Sequence, residues 1–232
     1  MKKKRKPNKG LSIKTKAILI ILLVPVAVTL FTLTAIIWTG IQNPELIRKS
    51  ASGLKDFSDR HTATVIPEEY IPIYKAAAEE YGIPWTLLAA HHRVETRFST
   101  MATLVSPAGA EGHMQFMPCT FVGWGYPGCE GLGKGNIPEE DKTNPAVIKK
   151  YGGYGVDANG DGIADPFDIE DAIFSAANYL AKSGAADGDI EKAIFHYNHS
   201  DKYVEDVLWF FNEFESQRLA KADDPNEQSN DK

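Results

Sequence analysis

Cysteine is nearly absent from this chain of 232 residues, with only Cys119 and Cys129 present. That count excludes a disulfide-dense scaffold. Glycine at 19 and proline at 13 are too few for a collagen-like or low-complexity chain, and no segment recurs at a solenoid period. No run alternates apolar and polar residues long enough to argue for a sheet. Basic charge is scarce outside one segment. Eight of the 25 Lys and Arg lie within residues 1–16, which hold no acid, so the rest of the chain sets 17 bases against 31 acids, a balance of −14. A domain of that sign lacks the basic face that phosphate neutralisation needs, and nucleic acid is not expected as a partner. The 43% of hydrophobic residues still suffices for one domain of ordinary size plus appendages.

The basic segment, Lys2 to Lys6 with Lys9, Lys14 and Lys16 behind it, is followed by a run from Ala17 to Trp38 without a charged residue. At the helical rise of about 1.5 Å per residue this run reaches roughly 33 Å, enough to cross a hydrocarbon core. The reading is a basic cytoplasmic tail over 1–16 and a single-pass signal anchor over 17–38. A buried core helix or a cleaved leader is the alternative, but the apolar run is long for a leader and no clear A-x-A site follows it. The positive-inside rule then puts everything after Gly40 outside the cytoplasm. Residues 39–66 mix polar and apolar types without a long period and are expected to form a stalk. A globular domain is expected over 67–215, and the acid-rich 216–232 reads as a disordered tail.

Outside the cytoplasm thiols oxidise. Cys119 and Cys129 bound a short stretch containing Gly123, Gly125, Pro127 and Gly128, flexible enough for disulfide geometry. A bridge is expected; two free thiols are the alternative. A catalytic cysteine is disfavoured because Cys119 follows Met117-Pro118 without a histidine paired to it in the sequence pattern.

Within the domain the periodicity is helical. Pro67 to Tyr81 places Tyr70, Ile73, Tyr74 and Ala77 on one face, and Gly82 stops it. Pro84 opens a second helix carrying Leu87, Leu88, His91, Val94 and Glu95. Further helices are expected over Ile169 to Lys182, over Asp189 to Tyr197, and through Val204, Val207, Leu208, Phe211 and Phe214. The Gly-rich connection between residues 99 and 165 is longer than a helix bundle needs, which points to binding or catalysis.

Glu95 lies on the same helical face as Leu88 and His91. A carboxyl on a core-facing stripe is partly desolvated, and desolvation raises its pKa toward the range where it donates a proton near neutrality. Helix position alone favours a solvated Glu near the helix C-terminus, paired to Arg93 or Arg97. The surrounding residues supply a further signal. Glu95-Thr96-Arg97-Phe98 is followed by Gly109-Ala110-Glu111-Gly112-His113-Met114-Gln115, and later by His196-Tyr197-Asn198.

In this order and spacing the three segments resemble the lytic transglycosylases, whose lysozyme-like domain reads E-S-x-F, then G-A-x-G-x-M-Q, then A-Y-N. The likeness covers about residues 67–214. The stretch from Gly155 through Asp171-Ala172, with Ala176 to Leu180 after it, looks most like the membrane-bound B-type branch. Departures are Thr96 for Ser, His113 for Leu, Cys119 for Ser and His196 for Ala. The resemblance implies a mainly α fold, a lysozyme-like transglycosylase domain behind one N-terminal transmembrane helix, on the outer side of a bacterial cell membrane. It implies Glu95 as the catalytic acid/base, with Thr96, Met114, Gln115, Tyr197 and Asn198 binding the glycan strand of peptidoglycan. No second carboxylate matches by motif, as two-carboxylate glycosidases require. That absence fits cleavage with 1,6-anhydro ends, while Glu111, the nearest motif-borne acid, keeps a hydrolytic muramidase open. A wall-binding module that has lost activity is the non-enzymatic alternative.

One further constellation stands apart. Counted from Asp157, the stretch to Asp168 offers oxygen donors at Asp157, Asn159, Asp161, Asp165 and Asp168, the Ile163 carbonyl at the seventh position and Gly162 at the sixth. This is the order of an EF-hand loop, so a structural calcium ion is expected there, while a loop of Asx turns needing no ion is the alternative. No cofactor is expected for catalysis. His91 and Glu95 at i and i+4 do not make a zinc protease site, because the H-E-x-x-H order is absent and His91 and His92 point to different faces. With an acidic ectodomain, glycan recognition is expected to rest on hydrogen bonds and aromatic contacts such as Tyr197, Trp124 and Tyr126.

Overall fold

Pro67 ends the extended approach to the domain, and a 3-10 turn, Glu68–Tyr70, leads into helix α1, Ile71–Tyr81. The computed structural model describes residues 65–222 without a break and a scatter of helical positions between Leu22 and Gln42. The basic tail, most of the expected span over Ala17–Trp38 and nearly all of the stalk lie outside the described residues. Among the described residues, no helix is long and apolar enough to cross a membrane. The chain divides into two units, 1–62 and 63–232, and the fold below is that of the second.

Gly82 closes α1 in the left-handed conformation, with its N–H on the Ala78 carbonyl, as the stop signal in the sequence anticipates. Pro84 sets the extended N-cap of α2, Trp85–Thr96. Two helices follow expectation closely: α6, Ile169–Lys182, capped by the Asp168 carboxylate, and α7, Ile190–Tyr197. The last helix, α8, runs over Asp201–Ala222, past the expected domain end at 215, so the first residues assigned to the tail are helical. Helix continues there because Glu215–Arg218 pairs on the surface and Thr86 donates to Glu215 from α2.

Three short helices lie in the connection that periodicity left as loop: α3, Pro118–Val122, α4, Glu139–Lys142, and α5, Pro145–Tyr151. Each is too short to display a hydrophobic period. Their signals are local, with proline at the first turn of α3 and α5 and the Asn144 side chain capping α5 through Ala146 and Val147 N–H. Among the described residues there is no strand beyond single antiparallel bridges of Glu111 with Val105 and with Phe116.

α2 sits at the centre, packed by α8, α1 and α6. The core it joins is formed by Tyr74 and Ala77 of α1, Leu87 and Leu88 of α2, Ile173 and Leu180 of α6, Ile194 of α7, and Val207 and Phe214 of α8, all essentially without exposed surface. Burying one such aliphatic side chain is worth about 1.5–3 kcal/mol. That grip makes α2 a rigid base for whatever its last turn carries.

Cys119 and Cys129 are bridged, with Cα atoms 5.6 Å apart, as their spacing predicts. The bridge holds the start of α3 to the Gly-rich turn after it. A Cys119→Ser, Cys129→Ser pair is expected to lower stability by about 2–3 kcal/mol, the entropy of so short a loop. Chemical denaturation of parent and variant checks this; equal midpoints would show that the bridge does not restrain the unfolded chain.

Candidate active site

Helix α2 ends in three consecutive left-handed residues, Arg97, Phe98 and Ser99, with φ of 55°, 57° and 64°. Non-glycine residues in this region cost roughly 1–2 kcal/mol each. Burial of Phe98, whose ring stands 5.6 Å from His92 and 6.2 Å from Phe214, offsets that cost. The turn therefore stops the helix directly after Glu95-Thr96 and fixes where Glu95 points.

Glu95 is half-buried, and Tyr203 of α8 donates its hydroxyl to Glu95 Oε1 at 2.5 Å. Burial pushes the carboxyl up to about 7, against a smaller lowering by the Tyr203 hydrogen bond. The surroundings are aromatic rather than charged. Tyr197 lies with its ring parallel to that of Tyr203 at 6.5 Å, 4.7 Å from the His91 ring and 5.2 Å from Tyr179. Burial first, and the Glu95 charge second, hold both Tyr197 and Tyr203 well above the usual phenol range, so they are neutral hydroxyl donors. Tyr197 spends its hydroxyl on the Met114 carbonyl at 2.8 Å.

Tyr203 is the member of this candidate site that the sequence alone does not single out. Its position is readable in part, since it begins the stripe Tyr203, Val207, Phe210, Phe214 on α8. Nothing in that stripe marks its hydroxyl as the partner of a residue 108 positions earlier. His91, wholly buried against Tyr203, shares the Glu95 face as the helical period predicts.

The remaining motif residues hold the wall of the site from behind. Thr96 is buried and donates to the His113 carbonyl at 2.8 Å, while its oxygen accepts from Ser99 N–H at 3.1 Å. Met114 has no exposed surface and meets the site only through its carbonyl. Gln115, at φ 50°, donates from Nε2 to the carbonyls of Leu104 and Gly112 at 2.9 and 2.8 Å. Asn198, at the end of α7, is exposed. Gly112 is required for closeness: a Cβ there would sit 1.8 Å from the Pro166 carbonyl oxygen. Trp124 is exposed over Gly133, and Tyr126 is half-buried with its hydroxyl on Asp141.

A chain of hydrogen bonds runs from α1 to the Asp157–Asp168 loop. Tyr74 meets His92 Nδ1 at 2.6 Å, His92 Nε2 meets Ser99 Oγ at 2.6 Å, Ser99 Oγ meets His113 Nδ1 at 2.6 Å, and His113 Nε2 meets the Phe167 carbonyl at 2.8 Å. A carbonyl only accepts, so His113 carries its proton on Nε2 and accepts from Ser99; His92 then donates to Ser99 from Nε2 and accepts from Tyr74. Both imidazoles are neutral. Burial lowers His92 to about 3 and lowers His113 as well.

The loop itself is a succession of Asx turns. Asp157 accepts from Gly160 and Gly162, Asn159 from Asp161, Asp161 from Ile163, Asp165 from Phe167, and Asp168 caps α6. The fully buried Asp171, outside the predicted ligand set, ties both ends together by accepting from Ala158 and Asn159 on one oxygen and Asp165 on the other. Among the described residues, no group of three or more His, Cys, Asp or Glu side chains converges to hold a metal ion.

One comparison with known proteins bears on this arrangement. Residues 148–191 match the family model described as the Transglycosylase SLT domain. The match covers α5 from Ile148, the Asx-turn loop, α6 and the start of α7, and supports the lytic transglycosylase family and a peptidoglycan substrate at the family level. No curated protein matches the chain.

Because Glu95 holds its proton to about pH 7 in the folded chain against an ordinary 4.5, the folded state binds that proton more tightly than the unfolded one. The resulting stability is complete below the unfolded value and is lost as pH rises through 7. Glu95→Gln, which cannot ionise, is therefore expected to unfold at a higher temperature than the parent at alkaline pH, with the gap closing toward acid. Thermal melts across that range check it, and a gap independent of pH would remove Glu95 as the buried proton site.

Proposed function

We propose that this protein is a membrane-anchored lytic transglycosylase that cleaves the β-1,4 bond between N-acetylmuramic acid and N-acetylglucosamine and leaves 1,6-anhydro-muramic ends. The observation that carries the reading is the Glu95 carboxyl, half-buried at the end of a rigid helix and still protonated near neutrality. Such a group can donate a proton to the glycosidic oxygen as the C1–O bond breaks. The carboxylate left behind can then take the proton of the muramic 6-hydroxyl as that oxygen closes on C1, with the substrate's N-acetyl group stabilising the cation between the two steps. Tyr197 and Asn198 are assigned to hold the glycan beside Glu95, with Thr96, Met114 and Gln115 shaping the wall that faces it. The likeness of residues 155–180 to the membrane-bound B-type branch supports the finer assignment.

Hydrolysis would need a second carboxylate free to activate water. Glu111, the motif-borne candidate, has both oxygens on Lys142 Nζ at 2.9 Å, and Lys142 is shared with Glu139 at 2.8 Å. With both oxygens committed to an ammonium, this carboxylate is not free to receive a water molecule, which favours the anhydro product. The uncharged run Ala17–Trp38 behind a basic segment supports anchorage in the bacterial cell membrane with the domain outside.

Digestion of purified peptidoglycan by the full chain in detergent tests the reaction. Mass spectrometry should find muropeptide ends lighter by one water than reducing ends, activity should fall as pH rises through about 7, and Glu95→Gln should reduce turnover by about 10²–10⁴-fold. Reducing ends alone would establish a muramidase, and no soluble product would leave a binding module.

Calcium is proposed as the cation of the Asp157–Asp168 loop. The support is the donor order, together with Asp161, Asp165 and Asp168 each spending one carboxylate oxygen on backbone N–H groups and keeping the other. With the short Asp168 at the last position, affinity is expected in the range of about 10⁻⁴–10⁻³ M. Millimolar calcium should raise the unfolding temperature relative to chelator, and Asp161→Ala should abolish that rise. An equal rise in both proteins, or none in the parent, would leave the loop as Asx turns without an ion.

A further inference from the structure

His91 has no surface, and its two ring nitrogens are treated differently by the fold. Nδ1 lies 2.9 Å from the Tyr203 hydroxyl. Nε2 has no partner, and among the described residues it is the one buried side-chain nitrogen or oxygen without one. Among the described residues, Glu95 Oε2 has no hydrogen-bond partner, and the Glu95 side chain is only half-buried.

These facts fix the direction of the Tyr203 hydroxyl. A phenol has one hydrogen, and Tyr203 lies between an imidazole nitrogen and the short contact to Glu95 Oε1. If His91 carried its proton on Nε2, a buried N–H would go unpaired and the bare Nδ1 would compete with the carboxylate for the one Tyr203 hydrogen. A bare Nε2 lone pair is the lesser cost, because orphaned donors are rarer than under-satisfied acceptors. Nδ1–H then donates to the Tyr203 oxygen, and the Tyr203 hydrogen can point only at Oε1.

We propose that His91 is a positioning residue for the reaction assigned above: held as the Nδ1–H tautomer, it locks the Tyr203 hydroxyl onto Glu95 Oε1 and so reserves Oε2, the oxygen that Tyr203 does not hold, for the transferable proton. This rests on the transglycosylase reading for its purpose but not for its geometry. Proton transfer balances on one atom. Oε2–H protonates the glycosidic oxygen as the C1–O bond breaks, and Oε2 receives the proton of the attacking 6-hydroxyl. His91 neither gains nor loses a proton. The titratable groups around it are Glu95 on its own helix, Tyr203 on α8 and Tyr197 on α7, with Tyr179 of α6 behind Tyr197. Arg93, two residues along α2, lies over the Phe210 ring instead.

Two measurements on the full chain test the proposal. Nitrogen NMR of ¹⁵N-histidine-labelled protein above neutral pH should show His91 protonated at Nδ1 and bare at Nε2; an Nε2–H tautomer would overturn it, whatever the enzyme does. Activity against peptidoglycan should separate positioning from packing. His91→Leu removes the donor that fixes the Tyr203 hydrogen on Oε1, so the hold on the carboxylate weakens and the alkaline limb of the pH profile should move up by up to about one unit. Its kcat should fall about tenfold with KM held. Tyr203→Phe should give the same shift, the double variant no more than either alone, and His91→Asn, whose amide can donate from near the Nδ1 position, should restore the parent profile. A limb left in place in His91→Leu, or His91→Asn no better than His91→Leu, would reject the role. A parent chain without any activity would refute the reaction while leaving the tautomer measurement to judge the geometry.

Discussion

A carboxyl kept partly out of water, with one neutral hydroxyl for company, is the condition that the rest of the domain maintains. Water would return Glu95 to an ordinary acid, and a nearby cation would do the same by stabilising its charge. The structure avoids both. It surrounds the group with aromatic side chains whose hydroxyls stay neutral, and it seats the bearing helix among three others so that its last turn cannot yield. The left-handed residues after Thr96 are the local cost of ending the helix there.

Much of this was legible in the chain because it depends on short-range patterns. The period of Leu87, Leu88 and His91 identified the buried face, Glu95 stood out on it only through the motif residues around it, and Gly82, Pro84 and Asp168 marked the helix ends. The bridge between Cys119 and Cys129 followed from their number, spacing and inferred compartment. Interactions between distant residues were not legible. Tyr203 on Glu95, Tyr197 on the Met114 carbonyl and Asp171 on both ends of the acidic loop join positions that no local period relates. α3, α4 and α5 escaped for a different reason, since helices this short are specified by caps and tertiary packing rather than by an amphipathic repeat.

The motif residues also divide by task in a way that their order conceals. Thr96 and Gln115 place their donors on backbone carbonyls, and Met114 lies wholly inside, so half of the wording around Glu95 describes how a wall is held. Glu111, which the order alone leaves as a second acid, is held by Lys142. Chemistry at such a site is concentrated in few atoms, and the sequence signature is longer because those atoms need a fixed backdrop.

The hydrogen-bonded row from Tyr74 to the Phe167 carbonyl has a consequence for how the protein can change over generations. Each member has one donor and one acceptor place already assigned by its neighbour, so no position along the row is free to drift alone. Replacing His113 by an apolar residue strands the Ser99 hydrogen, and relieving Ser99 in turn strands His92. Substitutions at 74, 92, 99 and 113 should therefore be inherited as a set, so that the row is kept whole or exchanged together for an apolar packing.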